Sequence, residues 1–344
     1  MYKDLRSFGH YKFGFTVAPL DKSQGTEASP AYHKHLRNTL SMAARMRPYH
    51  GLRKTLRFVF CAALQPGLYR DWFYLAEHKL PHLPTPSNEN DFIYKPTLRY
   101  LRRWFRQTDK IRIICYHYTL LNTFFTDAGL QTLKDGLTLA TLQGRNQQTY
   151  NITLHSHPTK EGELAIHFMD ATLNTMLATI RGSFDLDANG QKIFWIGSLQ
   201  GPPPPFNREH VAAATRDLNA LRPKHAVLQA LASVCQTMGV HILFAPHKYD
   251  HISFGPGRYM LGRQKIHSDY DQFWQDFAAT DVTAWGDFTL LLPFARRNPQ
   301  DVPAKRRKEW TLRYARIEAI LESTEAVIHA LHRNQSDSLS RVRG

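Results

Sequence analysis

The amino-acid sequence predicts an α+β protein, a mixed central β-sheet with packed helices, preceded by a helical amino-terminal region. Three observations carry the prediction. Residues 31–80 are rich in helix formers, and their only breakers are Pro48, Gly51, Pro66 and Gly67, which reads as two or three short helices joined at those points. From Tyr150 the hydrophobic period changes to two. Between 193 and 245 a strand, a helix and a second strand follow one another, the order of a βαβ unit.

Each element has a local reason. Thr97–Gln107 and Ile111–Phe125 have helical spacing, and a weaker helical stretch continues to about Leu142. Asn151–His155 and Glu163–Phe168 alternate apolar and polar residues around the turn Pro158–Gly162, the pattern of a β-hairpin. Leu173–Phe184 and Ile193–Leu199 are β-rich and flank Asp185–Gly190, a turn by composition. Pro223 suits the first position of a helix, where its missing N–H has no intrahelical partner. Val227, Leu231, Val234 and Met238 then form one apolar stripe, and Gly239 stops the helix before the strand Val240–Ala245. The Lys79–Asn90 stretch carries Pro81, Pro84 and Pro86 and reads as a linker. The expected division is a basic helical region at 1–94, an α/β core at 95–320, and a helix end with a tail at 321–344.

Composition narrows the function. Lys and Arg number 44 against 29 Asp and Glu, a formal charge of +15, which points to an anionic ligand, an anionic membrane surface or, less directly, nucleic acid. The cations cluster in three places: seven between Ala31 and Phe60 with no acid, a block from Lys95 to Arg112 interleaved with Tyr94, Tyr100, Trp104 and Phe105, and a stretch from Arg296 to Arg316. The first two segments are expected to adhere to anionic lipid, and the second could also stack bases. Cys61, Cys115 and Cys235 are far apart and form no CxxC pair, which speaks for a reducing compartment and against a zinc knuckle. Charges in Met1–His10 break the apolar core that a secretory signal needs. The longest apolar run, Phe58–Leu64, is far below the roughly 18 residues of a membrane span. The expected location is cytoplasmic, with peripheral contact to the inner membrane open.

Several segments resemble, in order, the motif series of the bacterial VirK/YbjX family: His117-Tyr118, Glu161-Gly-Glu-Leu164, Ile196–Pro202, Leu221-Arg-Pro-Lys224, Tyr270–Trp274, and Leu292-Pro-Phe294 with Lys305-Arg-Arg307. The resemblance covers roughly Tyr94–Arg316. It implies a role in virulence, envelope integrity or tolerance of antimicrobial peptides, and carries over no catalytic residue. The family pattern usually places Gly before Leu-Arg-Pro-Lys, where this chain has Ala220.

Candidate sites follow from residue chemistry. The helix entrance at Leu221–Lys224 offers free N–H groups and two formal charges, Arg222 and Lys224, an anion site in outline. Its place after a strand and before a helix–strand pair resembles the pyrophosphate-binding segment of the GNAT acyltransferases, which hold coenzyme A there, although the usual glycines are absent. Coenzyme A or another acyl carrier is the cofactor this implies, with Gln200 and Gly201, at the end of the Gly-rich strand, as further binding candidates. Glu161, Glu163, His247 and Asp250 are the acid–base candidates. His155 and His157 lie on one strand face with His167 on the partner strand, and no carboxylate or thiolate stands at ligand spacing, so they read as solvent-facing and no metal site is assigned. Two functions remain open: a GNAT-like acyl- or aminoacyltransferase, and a non-enzymatic peripheral membrane or regulatory protein.

Overall fold

A computed structural model of the chain describes residues 28–74, 95–247, 252, 270–282, 287–296 and 298–333. The linker Lys79–Asn90, Tyr94 and Asp250 lie outside the described residues. These pack as two compact units, one within Met1–Arg70 together with Leu186–Gln191, the other within Asp71–Asp185 and Lys192–Gly344.

The first unit is built on helix α1 (Ala28–Leu64), which breaks at Gly51, where φ is 74° and ψ 161°, outside helical space and in the region glycine tolerates best. Phe58 packs edge-on against Tyr69 of α2 (Pro66–Tyr74) with ring centroids 5.8 Å apart.

The second unit is an eight-stranded sheet in the order β1-β2-β3-β4-β5-β6-β8-β7. Its strands are β1 (Leu137–Gln143), β2 (Thr149–Thr159), β3 (Gly162–Asp170), β4 (Thr175–Leu186), β5 (Lys192–Gln200), β6 (Ile242–Pro246), β7 (Thr280–Val282) and β8 (Asp287–Leu291). The expected hairpin is β2–β3, paired antiparallel from Tyr150↔Asp170 to Thr159↔Gly162. β5 and β6 pair parallel, as a βαβ order requires, while β6–β8 and β7–β8 are antiparallel, which makes the sheet mixed. Among the described residues the unit also has helices α3 (Gln107–Phe124), α4 (Asp127–Asp135), α5 (Arg208–Asp217), α6 (Pro223–Thr237), α7 (Tyr270–Gln275) and α8 (Ala304–Ala330). α6 packs on β2, β3 and β5, and α8 lies along α6 and β1. Ser233 donates to the Leu321 carbonyl at 3.0 Å and Ser323 to that of Leu139 at 2.7 Å, tying α8 to both.

Two elements differ from expectation. Thr97–Gln107 is not a helix: a single 3-10 turn, Lys95–Thr97, leads into bends, and α3 begins only at Gln107. Leu101 there has φ 50°, a left-handed conformation that ends any helix. The helical stretch expected to reach Leu142 stops at Asp135; Gly136, at φ 109°, lets the chain turn into β1. Leu, Ala and Gln are good helix formers, and pairing with β2 overrides that preference.

The turn from α5 to α6 contains two consecutive left-handed residues, Asn219 (φ 55°) and Ala220 (φ 61°). Asn tolerates that conformation; Ala, with a β-carbon against the following carbonyl, pays for it. Ala220 is the position at which the family pattern usually has Gly. Ala220→Gly is therefore expected to raise the unfolding free energy by about 0.5–1 kcal/mol, the relief of the β-carbon exceeding the extra entropy of the unfolded glycine. Urea titration with an unchanged slope reads this directly; a lower midpoint would contradict the strain assigned to Ala220.

Candidate functional site

The parallel register of β5 and β6 runs only from Ile193↔Ile242 to Trp195↔Phe244, although β5 continues to Gln200. Where the register ends, Arg102 stands between the strands. Its guanidinium donates to the Ile196 carbonyl of β5 at 2.7 Å, the Phe244 carbonyl of β6 at 3.1 Å, and Asp287 Oδ1 of β8 at 2.5 Å. Both charged side chains are fully buried, and Arg102 also lies over the Trp195 ring at 5.3 Å. A planar fork of five donors suits this position, since it bonds carbonyls of two strands at once and is neutralised by one carboxylate. Beside it the Trp195 indole donates to Asp185 Oδ2 at 2.9 Å, and Asp185 pairs with Arg112.

The β2–β3 hairpin brings Glu161 and Glu163 to the same region. Three glycines make this possible. A β-carbon on Gly162 would lie 2.4 Å from the Gly182 carbonyl oxygen, one on Gly182 would lie 2.2 Å from that of Trp195, and one on Gly197 would lie 1.9 Å from that of Glu161. The three backbones can approach only without side chains.

Glu161 is buried, and its Oε2 accepts both the Ser198 hydroxyl and the Gln200 amide at 2.8 Å. Glu163 is fully buried; Tyr118 donates to its Oε2 at 2.7 Å and Lys95 pairs with its Oε1. The Glu163 N–H donates to Ser183 Oγ at 3.0 Å, which in turn is 2.7 Å from the Tyr100 hydroxyl. Burial, and then the Glu163 carboxylate, push both the Tyr118 and Tyr100 hydroxyls up well beyond the ordinary tyrosine range. His117 beside them is pushed down to about 3 by burial and by Lys95; its Nδ1 accepts the Phe184 N–H at 3.2 Å. With both oxygens engaged, Glu163 is an anchor of the core. Glu161, by contrast, takes both of its side-chain bonds on one oxygen.

Adjacent to this centre His155, His157, His167 and Arg181 share a face of β2–β4. The expectation of solvent-facing histidines holds for His157 and fails for the other two: His155 and His167 are half-buried, with rings stacked 4.7 Å apart. Burial lowers all three imidazoles; Arg181 adds to this at each, neighbouring histidines add at His155 and His167 and Lys95 at His157, and His167 reaches about 3. His167 Nε2, Arg181 Nη1 and Thr179 Oγ1 are buried without a hydrogen-bond partner, an unusual concentration of unsatisfied polar atoms. Among the described residues no group of three or more His, Cys, Asp or Glu is placed to hold a metal ion.

Arg222 is the cap residue of α6, Pro223 its first residue, and Arg222 makes no side-chain cap bond. Arg222 is exposed, whereas Lys224 is half-buried and held below the usual lysine range by burial. His225 packs against Phe273 and Phe277 at 5.3 and 5.0 Å and is lowered to about 3 by burial and then by Arg222 and Arg313. His225 Nε2 and Arg313 Nε are buried without a partner.

Other candidates fall elsewhere. His247 Nε2 is 2.9 Å from Asp271 Oδ2 on α7, so the carboxylate facing this imidazole is Asp271. Gln200 is engaged by Glu161, and Gly201 has open space where a β-carbon would be, so it marks no close approach of ligand or backbone. The Lys95–Arg112 block is no continuous basic face: Lys95, Arg102, Lys110, Tyr100 and Phe105 are buried, leaving Arg99, Arg103 and Arg106 exposed. Base stacking needs exposed rings, and Tyr100 and Phe105 do not offer them. Lys95, Arg102, Arg181, Ser198 and Asp287 were not singled out as site residues from sequence. Ser198 had a signal in its place within the Ile196–Pro202 run, and Lys95 and Arg102 in the basic block that they belong to.

The fold and the site together define an α+β protein whose mixed sheet parts beside a buried ion pair and whose central hairpin holds a carboxylate pair. The chain belongs to the family described as "Protein of unknown function (DUF535)", which matches residues 49–326. It is 27% identical to the "Uncharacterized protein YbjX" of Escherichia coli (strain K12), over 77% of this chain and 80% of that protein. An uncharacterized protein of Haemophilus influenzae (strain ATCC 51907 / DSM 11121 / KW20 / Rd) is 22% identical over 68% of this chain and 75% of its own length. Among solved structures, a "cAMP-binding acyltransferase from Mycobacterium smegmatis" aligns with a TM-score of 0.25 and 10% identity, over 63% of this chain and 61% of that one.

Proposed function

We propose that the protein is a GNAT-like acyl- or aminoacyltransferase that draws its acyl group from coenzyme A or another phosphate-bearing carrier. The observation that carries this reading is the β5–α6–β6 unit. β5 supplies Ser198 and Gln200 to Glu161, then parts from its parallel neighbour, and the chain returns through a helix whose entrance bears Arg222 and Lys224. In open α/β sheets a ligand sits outside the carboxyl ends of the strands, against a helix entrance. The side chains of Arg222 and Lys224 at the α6 entrance are the groups that would take a carrier phosphate.

In this reading Glu161 Oε1 accepts the proton of an acceptor amine or hydroxyl as its nitrogen or oxygen attacks the thioester carbonyl. The carbon–sulfur bond then breaks, the departing sulfur takes that proton from Glu161, and the carrier leaves as a thiol. Ser198 and Gln200 hold the carboxylate in position. The acceptor belongs to an envelope lipid, peptide or protein, in keeping with the associations of the VirK/YbjX family.

The test is release of free thiol from acyl-coenzyme A in the presence of amine acceptors. Glu161→Gln keeps the size and one hydrogen-bonding oxygen and should slow release by roughly 10²–10⁴-fold, with carrier affinity nearly unchanged. Equal rates for the two proteins would remove Glu161 from the chemistry.

A further inference from the structure

After the break at Gly51, α1 carries Leu52, Leu56, Phe60 and Leu64 on its exposed side, between 56% and 64% accessible. Four of the eight large apolar side chains exposed among the described residues fall in this one helical stretch. Spaced by four, they fan across about 120° of the helix. The other side of the same stretch is buried through Thr55, Phe58 and Ala62. Scattered exposed leucines need no explanation, but an ordered apolar stripe does. Its chemistry is specified by its neighbours: Arg53, Lys54 and Arg57 are exposed beside it, and no acid occurs anywhere from Ala31 to Phe60.

We infer that residues 52–64 form an interfacial anchor that lies flat on an anionic lipid bilayer. Leu52, Leu56, Phe60 and Leu64 enter the boundary between headgroups and acyl chains, and Arg53, Lys54 and Arg57 reach back to the lipid phosphates, as long cationic side chains on an apolar helix face do. No described helix is long and apolar enough to cross a membrane, so this helix rests on the surface. The cationic flank selects the bilayer over a second copy of the chain, because two such stripes facing each other would bring like charges together with no acid to offset them. The inference is independent of the acyltransferase reading.

The full-length protein would be sedimented with vesicles of phosphatidylglycerol mixed with phosphatidylcholine, and with vesicles of phosphatidylcholine alone. Binding is expected to the mixed vesicles and to be weakened by salt. L56S/F60S should lower the partition coefficient roughly tenfold or more, since it removes apolar insertion without touching charge. R53Q/K54Q/R57Q should lower it about fivefold per residue on the mixed vesicles and leave the neutral ones unaffected. Both variants alter exposed side chains, and circular dichroism confirms that they fold. Equal partitioning of wild type and L56S/F60S overturns the anchor. So does a wild-type dimer, seen by light scattering, that L56S/F60S dissociates while neither protein binds vesicles; the stripe would then be a contact between copies.

Discussion

Asp287→Ala is expected to lower the unfolding free energy by about 3–5 kcal/mol, the cost of leaving a buried guanidinium without its counter-charge. Arg102 cannot escape to solvent, because its other nitrogens are held by the carbonyls of Ile196 and Phe244 on two different strands. Arg102→Ala should be comparably damaging, since it strands the Asp287 carboxylate and exposes two carbonyls to an empty space. A double replacement, R102M/D287L, removes both charges and should recover part of the loss, as apolar substitutes for buried ion pairs often do. Urea unfolding of the three variants decides the matter. A loss below about 1 kcal/mol for Asp287→Ala would mean that water reaches the pair and that it does not hold β5, β6 and β8 together.

Replacing Arg222 and Lys224 together with Ala is expected to weaken binding of coenzyme A and its thioesters by roughly 10²–10⁴-fold, the loss of two charge-assisted hydrogen bonds of about 1.5–3 kcal/mol each. Calorimetric titration reads the affinity. Lys224 is half-buried, so truncating it also removes packing of its stem; Arg222→Ala with Lys224→Met retains that packing and isolates the charge. Stability should change little in the second variant, because cations at a helix entrance oppose the helix dipole. Native protein that binds none of these carriers, or binds them as well as either double variant does, sinks the acyltransferase reading at its cofactor site and leaves the lipid anchor of α1 standing.

The local features of the chain were legible because local physics made them. Alternation from Tyr150 to Phe168 produces β2–β3 because side chains on a strand point to opposite faces in turn. Pro223 opens α6 because only there is its missing N–H harmless. Gly197 reads as a site of close backbone approach, and the Glu161 carbonyl is what approaches.

What only the tertiary structure decided was the fate of the charges. Lys95, Arg102 and Lys110 look like members of a surface patch, and their spacing carries no sign that they are buried. Two of them turn inward because carboxylates far away in the chain meet them there, Glu163 from β3 and Asp287 from β8, and Lys110 because the Leu98 carbonyl takes its ammonium at 2.5 Å. The chain by itself thus determined the hairpin, the βαβ unit and the family. Which cations face solvent and which partners each glutamate meets followed from long-range pairing, because burying a charge is tolerable only where a distant partner arrives to neutralise it.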